Sequence, residues 1–207
     1  MSPPFFRNLM IFAGLLMFGL SSVATAQSGL KRDGYKFLEA VRDRDGNVVE
    51  AMLDDPETGI LVNTRDLTSG QTAMHIVAER RDTLWITYLA ENGGNPNATD
   101  KNGLTPLMIS TRLGHAEGVA ALLAAGARID PATSTGETPL IMAVHGRDVP
   151  MVRVLLANGA NPDRTDGSGR SARDYVAEMN DRRMTEAFAE ADKARGDSQA
   201  EQYGPSL

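Results

Sequence analysis

Three histidines, His75, His115 and His145, are the residues in this chain best suited by type to metal ligation or proton transfer. A metal centre needs several such donors at one point. These three fall at different phases of a repeating pattern described below, so they are not expected to converge. The chain has no cysteine, which removes disulfides, zinc–thiolate centres and thiol nucleophiles. Serine and threonine are plentiful, but none stands in a Gly-x-Ser-x-Gly elbow. The glycines punctuate the chain and build no phosphate-cradling loop. Asp and Glu are spread along turns and helix faces, as solvated charge is. A formal net charge of −6 gives no electrostatic reason to bind nucleic acid. No catalytic residue, cofactor or metal is therefore expected.

The elements that carry these residues repeat. Gly103-Leu104-Thr105-Pro106-Leu107 recurs 33 residues later as Gly136-Glu137-Thr138-Pro139-Leu140. Gly70-Gln71-Thr72-Ala73-Met74 anticipates it, and Gly169-Arg170-Ser171-Ala172-Arg173 is a degraded copy. A period of this length fixes the architecture. In each unit Thr72, Thr105, Thr138 or Ser171 can cap the first helix, and Pro106 and Pro139 suit its first turn. A second helix starts at Asp45, Asp82, Asp148 or Asp181, with His115 replacing the Asp once. It carries apolar residues at helical spacing, such as Val119, Leu122 and Leu123. It stops at Gly93, Gly126 or Gly159, which tolerate the left-handed conformation. Neither helix is long enough to stand alone in water, so the units must stack into a solenoid.

Thr-Pro-Leu, the 33-residue period and endings such as Leu155-Leu156-Ala157-Asn158-Gly159-Ala160-Asn161-Pro162-Asp163 resemble ankyrin repeats over residues 30–195. The resemblance implies an all-α solenoid of about five helix–turn–helix units joined by β-turn fingers. Three would be full repeats (70–102, 103–135, 136–168), flanked by a divergent N-terminal unit (33–69) and a C-terminal capping unit (169–195). It also implies a non-enzymatic role in binding another protein through the concave face. Its variable positions carried onto this chain give Gln71, Glu79, Arg80, Lys101, Asn102, Leu104, Arg112, Leu113, Ser134, Thr135, Glu137, His145 and Gly146 as that face. Leu104 and Leu113 are apolar where the family expects solvent, and are the expected anchors. His75 falls on the family's motif histidine, whose ring serves local hydrogen bonding. Small exported bacterial ankyrin proteins are similar in size, and some are linked to oxidative-stress defence. A secreted effector or toxin-like protein, or an accessory factor of a periplasmic enzyme, would carry the same repeats.

The first 26 residues differ in kind. Arg7, an apolar run from Leu9 to Leu20 and Ala24-Thr25-Ala26 form the pattern of a secretory signal peptide cleaved after Ala26. The apolar run is too short to span about 30 Å of hydrocarbon, and without cysteine there is no thiol for lipid attachment. The expected mature chain is a periplasmic or secreted monomer with a short lead-in (27–32) and a polar, disordered tail (196–207). The connector after residue 54 carries about four extra residues relative to other units. It reads more simply as drift than as a binding loop.

Two further features invite a structural test. Arg44, Arg81 and Arg147 each precede a capping Asp where Gly114 stands in another unit. A left-handed backbone there would cost each Arg about 1 kcal/mol over Gly. The three could form a row of guanidinium groups, or lay their stems over apolar surface. Trp85, the single Trp, shares its phase with Gly118 and Met151. It is expected to pack into the space left by Gly118.

Overall fold

The computed structural model describes residues 32–56 and 58–202. The expected signal peptide and the last five residues of the tail lie outside the described residues. Among those described, every extended element is a helix, and strand pairing is confined to one bridge between Thr165 and Ser171. The chain divides into two compact units, one ending at Thr64 and the other starting at Arg65.

In the first unit, α1 (32–43) leads through Arg44 into α2 (Gly46–Asp54), followed by a 3₁₀ turn over Gly59–Asn63. Asp45 accepts from the Val48 N–H at 3.1 Å and so caps α2. Phe37, Leu38, Val41, Val49, Leu61 and Val62 form its core.

The second unit is a solenoid of four helix pairs: α3 (Ala73–Glu79) with α4 (Thr83–Glu91), α5 (Pro106–Arg112) with α6 (Ala116–Ala124), α7 (Pro139–His145) with α8 (Val149–Ala157), and α9 (Ala172–Met179) with α10 (Arg182–Gln202). First helices stack on first helices, from α3 to α5 to α7 to α9, while α4 packs on α6 and α8 on α10. This layering explains the burial pattern. Enclosed on several sides, α5 buries every residue from Pro106 to Thr111, whereas α6 in the outer layer buries only Gly118, Val119 and Leu122.

The starts of these helices are local. Thr105 and Thr138 accept from the N–H groups of Met108 and Ile141, both at 3.3 Å. Ser171 and Asp174 form a reciprocal capping box. Asp82, Asp148 and Asp181 accept from the Trp85, Met151 and Met184 N–H groups.

Between pairs, the chain turns back in fingers near the expected positions. The Asp66 N–H donates to Gln71 O, Asp100 to Leu104 O, Thr133 to Glu137 O and Asp166 to Arg170 O. Successive fingers touch: Lys101 N–H reaches Ser69 O at 2.9 Å, and Gly167 N–H reaches Thr135 O at 2.7 Å. Gly136 makes that approach feasible. Its φ is +79°, and a Cβ there would lie 2.7 Å from Gly167 N.

Arg44, Arg81 and Arg147 adopt φ of 60°, 56° and 52°, as expected for a position that favours glycine. In the solenoid these arginines reach the following unit: Arg81 donates to Leu113 O, and Arg147 lies 3.9 Å from Asp181.

Two expectations fail. Trp85 does not fill the space above Gly118, because the His115 ring lies there; a Cβ at 118 would be 2.3 Å from His115 Nδ1. The indole is partly exposed, edge-on to Tyr88 and 5.3 Å from the Arg80 guanidinium. The second helix of the last unit, expected over 182–193, continues to Gln202, so residues 196–202 of the expected disordered tail are helical. Ala, Arg, Gln and Glu dominate that extension and favour helix. Arg195 also ties it to Ala160 O at 2.8 Å.

Candidate protein-binding face

Each solenoid unit presents two side chains eight residues apart: the residue after the finger glycine and one at the end of the first helix. The finger runs back alongside its own helix, so the two meet. Gln71 donates to Glu79, and the Arg170 guanidinium pairs with Glu178 at 3.0 Å. His145 Nδ1 lies 2.9 Å from Glu137 Oε1; since a carboxylate only accepts, Nδ1 carries the hydrogen. The fourth pair, Leu104 and Arg112, has no polar bond between its members. Arg112 is exposed, and its guanidinium has no hydrogen-bond or ion-pair partner among the described residues.

The Glu137–His145 pair separates two clefts. One, of about 380 Å³, is lined by Leu104, Arg112, Thr133, Met142 and Asp148 together with the pair itself. The other, of about 490 Å³, adds Thr135, Asp166, Ser168 and Tyr175. In the second cleft the Tyr175 ring stands edge-on to His145, with 4.5 Å between centroids. The Tyr175 hydroxyl donates to Asp166 at 2.6 Å, and the Ser168 hydroxyl at 2.7 Å. These donors, Tyr175 foremost, hold the Asp166 carboxyl well below the usual carboxylate range.

The structure thus gathers Leu104, Arg112, Thr135, Glu137 and His145 around one pair of clefts. Gln71 and Glu79 bond to each other in the first solenoid unit, and Ser134 stands exposed at a finger tip. Arg80 is drawn toward the outer helix, 3.3 Å from Asp82. Lys101 donates to Leu67 O, and the Asn102 N–H to Asp100 at 2.8 Å, so both partly serve their finger. Gly146 lies beside His145 on the rim of the first cleft.

The expectation that Leu104 and Leu113 both stand in solvent does not hold. Both are half-buried, and their carbonyls accept from His75 and Arg81 of the preceding unit. Leu113 caps α5 and does not line the cleft that Leu104 shares with Arg112. The exposed leucines of the solenoid are instead Leu67 and Leu84, each 82% exposed.

Tyr175, Asp166 and Ser168 were absent from the expected face. A signal for Tyr175 exists: it is in register with Ile76, Ile109 and Met142, so an aromatic ring with a polar tip replaces an aliphatic side chain in the capping unit. The other histidines sit apart. His75 is fully buried, its Nε2 3.0 Å from Leu104 O and its Nδ1 accepting from Thr72 N–H at 3.1 Å. Burial pushes its pKa down, which suits a neutral ring that bridges two units. His115 contacts Thr83 at 3.1 Å across α6 and α4. Among the described residues no group of three or more His, Asp or Glu is arranged to hold a metal ion.

Comparison with known proteins agrees with this architecture. One model of ankyrin repeats, built on three copies, matches residues 37–133, and another, built on many copies, matches residues 122–176. The chain is a member of the ankyrin-repeat family. A fowlpox virus protein named for its ankyrin repeats is 34% identical over 68 residues, covering 33% of this chain and 19% of its own length. Oxysterol-binding protein homolog 1 of Saccharomyces cerevisiae is 30% identical over 74 residues, 35% of this chain and 6% of its own. This ankyrin-repeat chain therefore spans a fifth or less of either relative, and the likeness extends to the repeats alone. Repeats of this family generally bind other proteins and are typically non-catalytic modules.

Proposed function

We propose that this ankyrin-repeat protein is a non-enzymatic scaffold that binds another protein through the concave face of its solenoid, described from Arg65 to Gln202. The supporting observation is the two clefts beside Glu137–His145. Apart from Asp148, which caps α8, and the buried Thr111 and Ala143, their walls are side chains that neither cap a helix nor fill the core. The partner is met outside the cytoplasmic membrane, in the periplasm or beyond the cell, by a monomer that lost residues 1–26 on export. That part of the proposal rests on the charged start, apolar middle and Ala-x-Ala site of the N-terminus.

Affinity capture with the purified protein, read by mass spectrometry, tests the binding face. A variant carrying Glu137→Ala, His145→Ala and Tyr175→Ala should lose the captured partner while its melting temperature stays within a few degrees of the parent. Capture that survives all three changes would move the site elsewhere. N-terminal sequencing from fractionated cells tests export. Gln27 as the first residue of the non-cytoplasmic pool is expected, and a Met1 start confined to the cytoplasm would refute it.

A further inference from the structure

We propose that the cleft between Leu104 and Arg112 takes an extended partner segment carrying a carboxylate side chain beside an aliphatic one. This deepens the protein-binding reading above and rests on it.

Hydrogen-bond satisfaction within the cleft supports an acidic ligand. Three of the four finger-to-helix pairs close on themselves, through Gln71 with Glu79, Glu137 with His145 and Arg170 with Glu178. The pair that does not close leaves Arg112 exposed and without a partner among the described residues. The anions around the same cleft are engaged. Glu137 accepts from His145, and Asp148 accepts from Met151 N–H at 3.0 Å as the cap of α8. The one charged side chain there with no hydrogen-bond partner among the described residues is the Arg112 guanidinium, whose planar fork suits a carboxylate through two parallel hydrogen bonds.

Two observations narrow the ligand further. Glu137 and Asp148 line the cleft with Arg112, so a phosphate dianion would meet two negative charges for one positive, and a single carboxylate is better matched. Beside the guanidinium lie Leu104, which is half-buried, and Met142, whose flexible thioether adapts to varied aliphatic shapes. An anionic residue with an apolar neighbour satisfies both halves of the cleft.

The test uses a displayed library of random heptapeptides selected on the purified protein. Enriched sequences should pair Asp or Glu with Leu, Ile, Val or Met. In fluorescence polarisation, changing the acidic residue of the best peptide to its amide should weaken binding about tenfold, the worth of one charge-assisted bidentate contact. On the Arg112→Gln protein the same amide change should cost less than about twofold, because its partner is gone. Leu104→Ala should relax the aliphatic preference instead. Equal amide penalties on both proteins would overturn the proposal, as would enrichment of neutral or basic peptides or a preference for phosphoserine over glutamate. If neutral peptides win but still lose binding on the Glu137→Ala and Tyr175→Ala proteins, the acidic ligand fails while the concave face stands. If bound peptides ignore every variant on that face, both readings fail.

Discussion

The joints between units and the concave face of the same solenoid use hydrogen bonds differently. At the joints, side chains reach across to main-chain carbonyls. His75 reaches Leu104 O, Arg81 reaches Leu113 O, Asn97 reaches Gly126 O at 2.9 Å and Arg164 reaches Asp130 O at 2.9 Å. Such a bond is indifferent to the side chain at the accepting position. On the concave face the bonds run from side chain to side chain, as in Glu137 with His145 and Tyr175 with Asp166. His115 with Thr83 and Arg147 with Asp181 apart, these joint bonds read backbone, which lets the stack persist while the face varies. The residues free to recognise a partner are therefore those on which the stack makes no demand.

The contrast predicts unequal costs for substitution. Leu107 is fully buried between first helices, and Leu107→Ala should lose about 2–5 kcal/mol by urea denaturation, from lost transfer energy and the cavity left behind. Leu104→Ala combined with Arg112→Gln should lose about 1 kcal/mol or less. Comparable losses from the two variants would erase the distinction between scaffold and face.

The next test is His75. His75→Leu leaves Leu104 O and Thr72 N–H without their side-chain partner inside the joint, and should cost about 1–3 kcal/mol. It should also remove a pH dependence. The native ring has its pKa lowered from 6.5 by burial. Below that value the unfolded chain takes up a proton that the native ring refuses, so the parent loses stability as pH falls from 6.5. Denaturation midpoints between pH 7 and 5 should fall more steeply for the parent than for the variant. Parallel slopes would mean that the buried bridge is not what acid attacks.

The smallest effects separate the left-handed arginines. Arg44→Gly relieves backbone strain, and should raise stability by about 0.5–1 kcal/mol. Arg81→Gly relieves the same strain but loses the bond to Leu113 O, worth about 1 kcal/mol, and should change the melting temperature little. A clear gain at Arg81 would show that its joint bond contributes nothing.

The sequence by itself determined what depends on neighbours three or four residues apart, and the period that repeats it. Thr105, Thr138, Asp82 and Asp148 cap helices that their own segments specify. Arg44, Arg81 and Arg147 were legible as left-handed because a glycine held the same phase in a neighbouring unit. The tertiary structure decided what depends on residues about one repeat apart. The His115 ring over Gly118 is itself a contact three residues apart; nothing local says that Trp85 stays out of that space. Nothing local says that His75 and Arg81 of the preceding unit reach the Leu104 and Leu113 carbonyls, or that Tyr175 stands against His145. Those outcomes turn on side-chain size and direction across a joint, where two units 33 residues apart compete for the same space. Variable positions could be assigned to the concave face from the period alone. Which of them bond to each other, and that Arg112 stays unpaired opposite Leu104, follows from each finger folding back on its own helix, a contact that the period alone does not show.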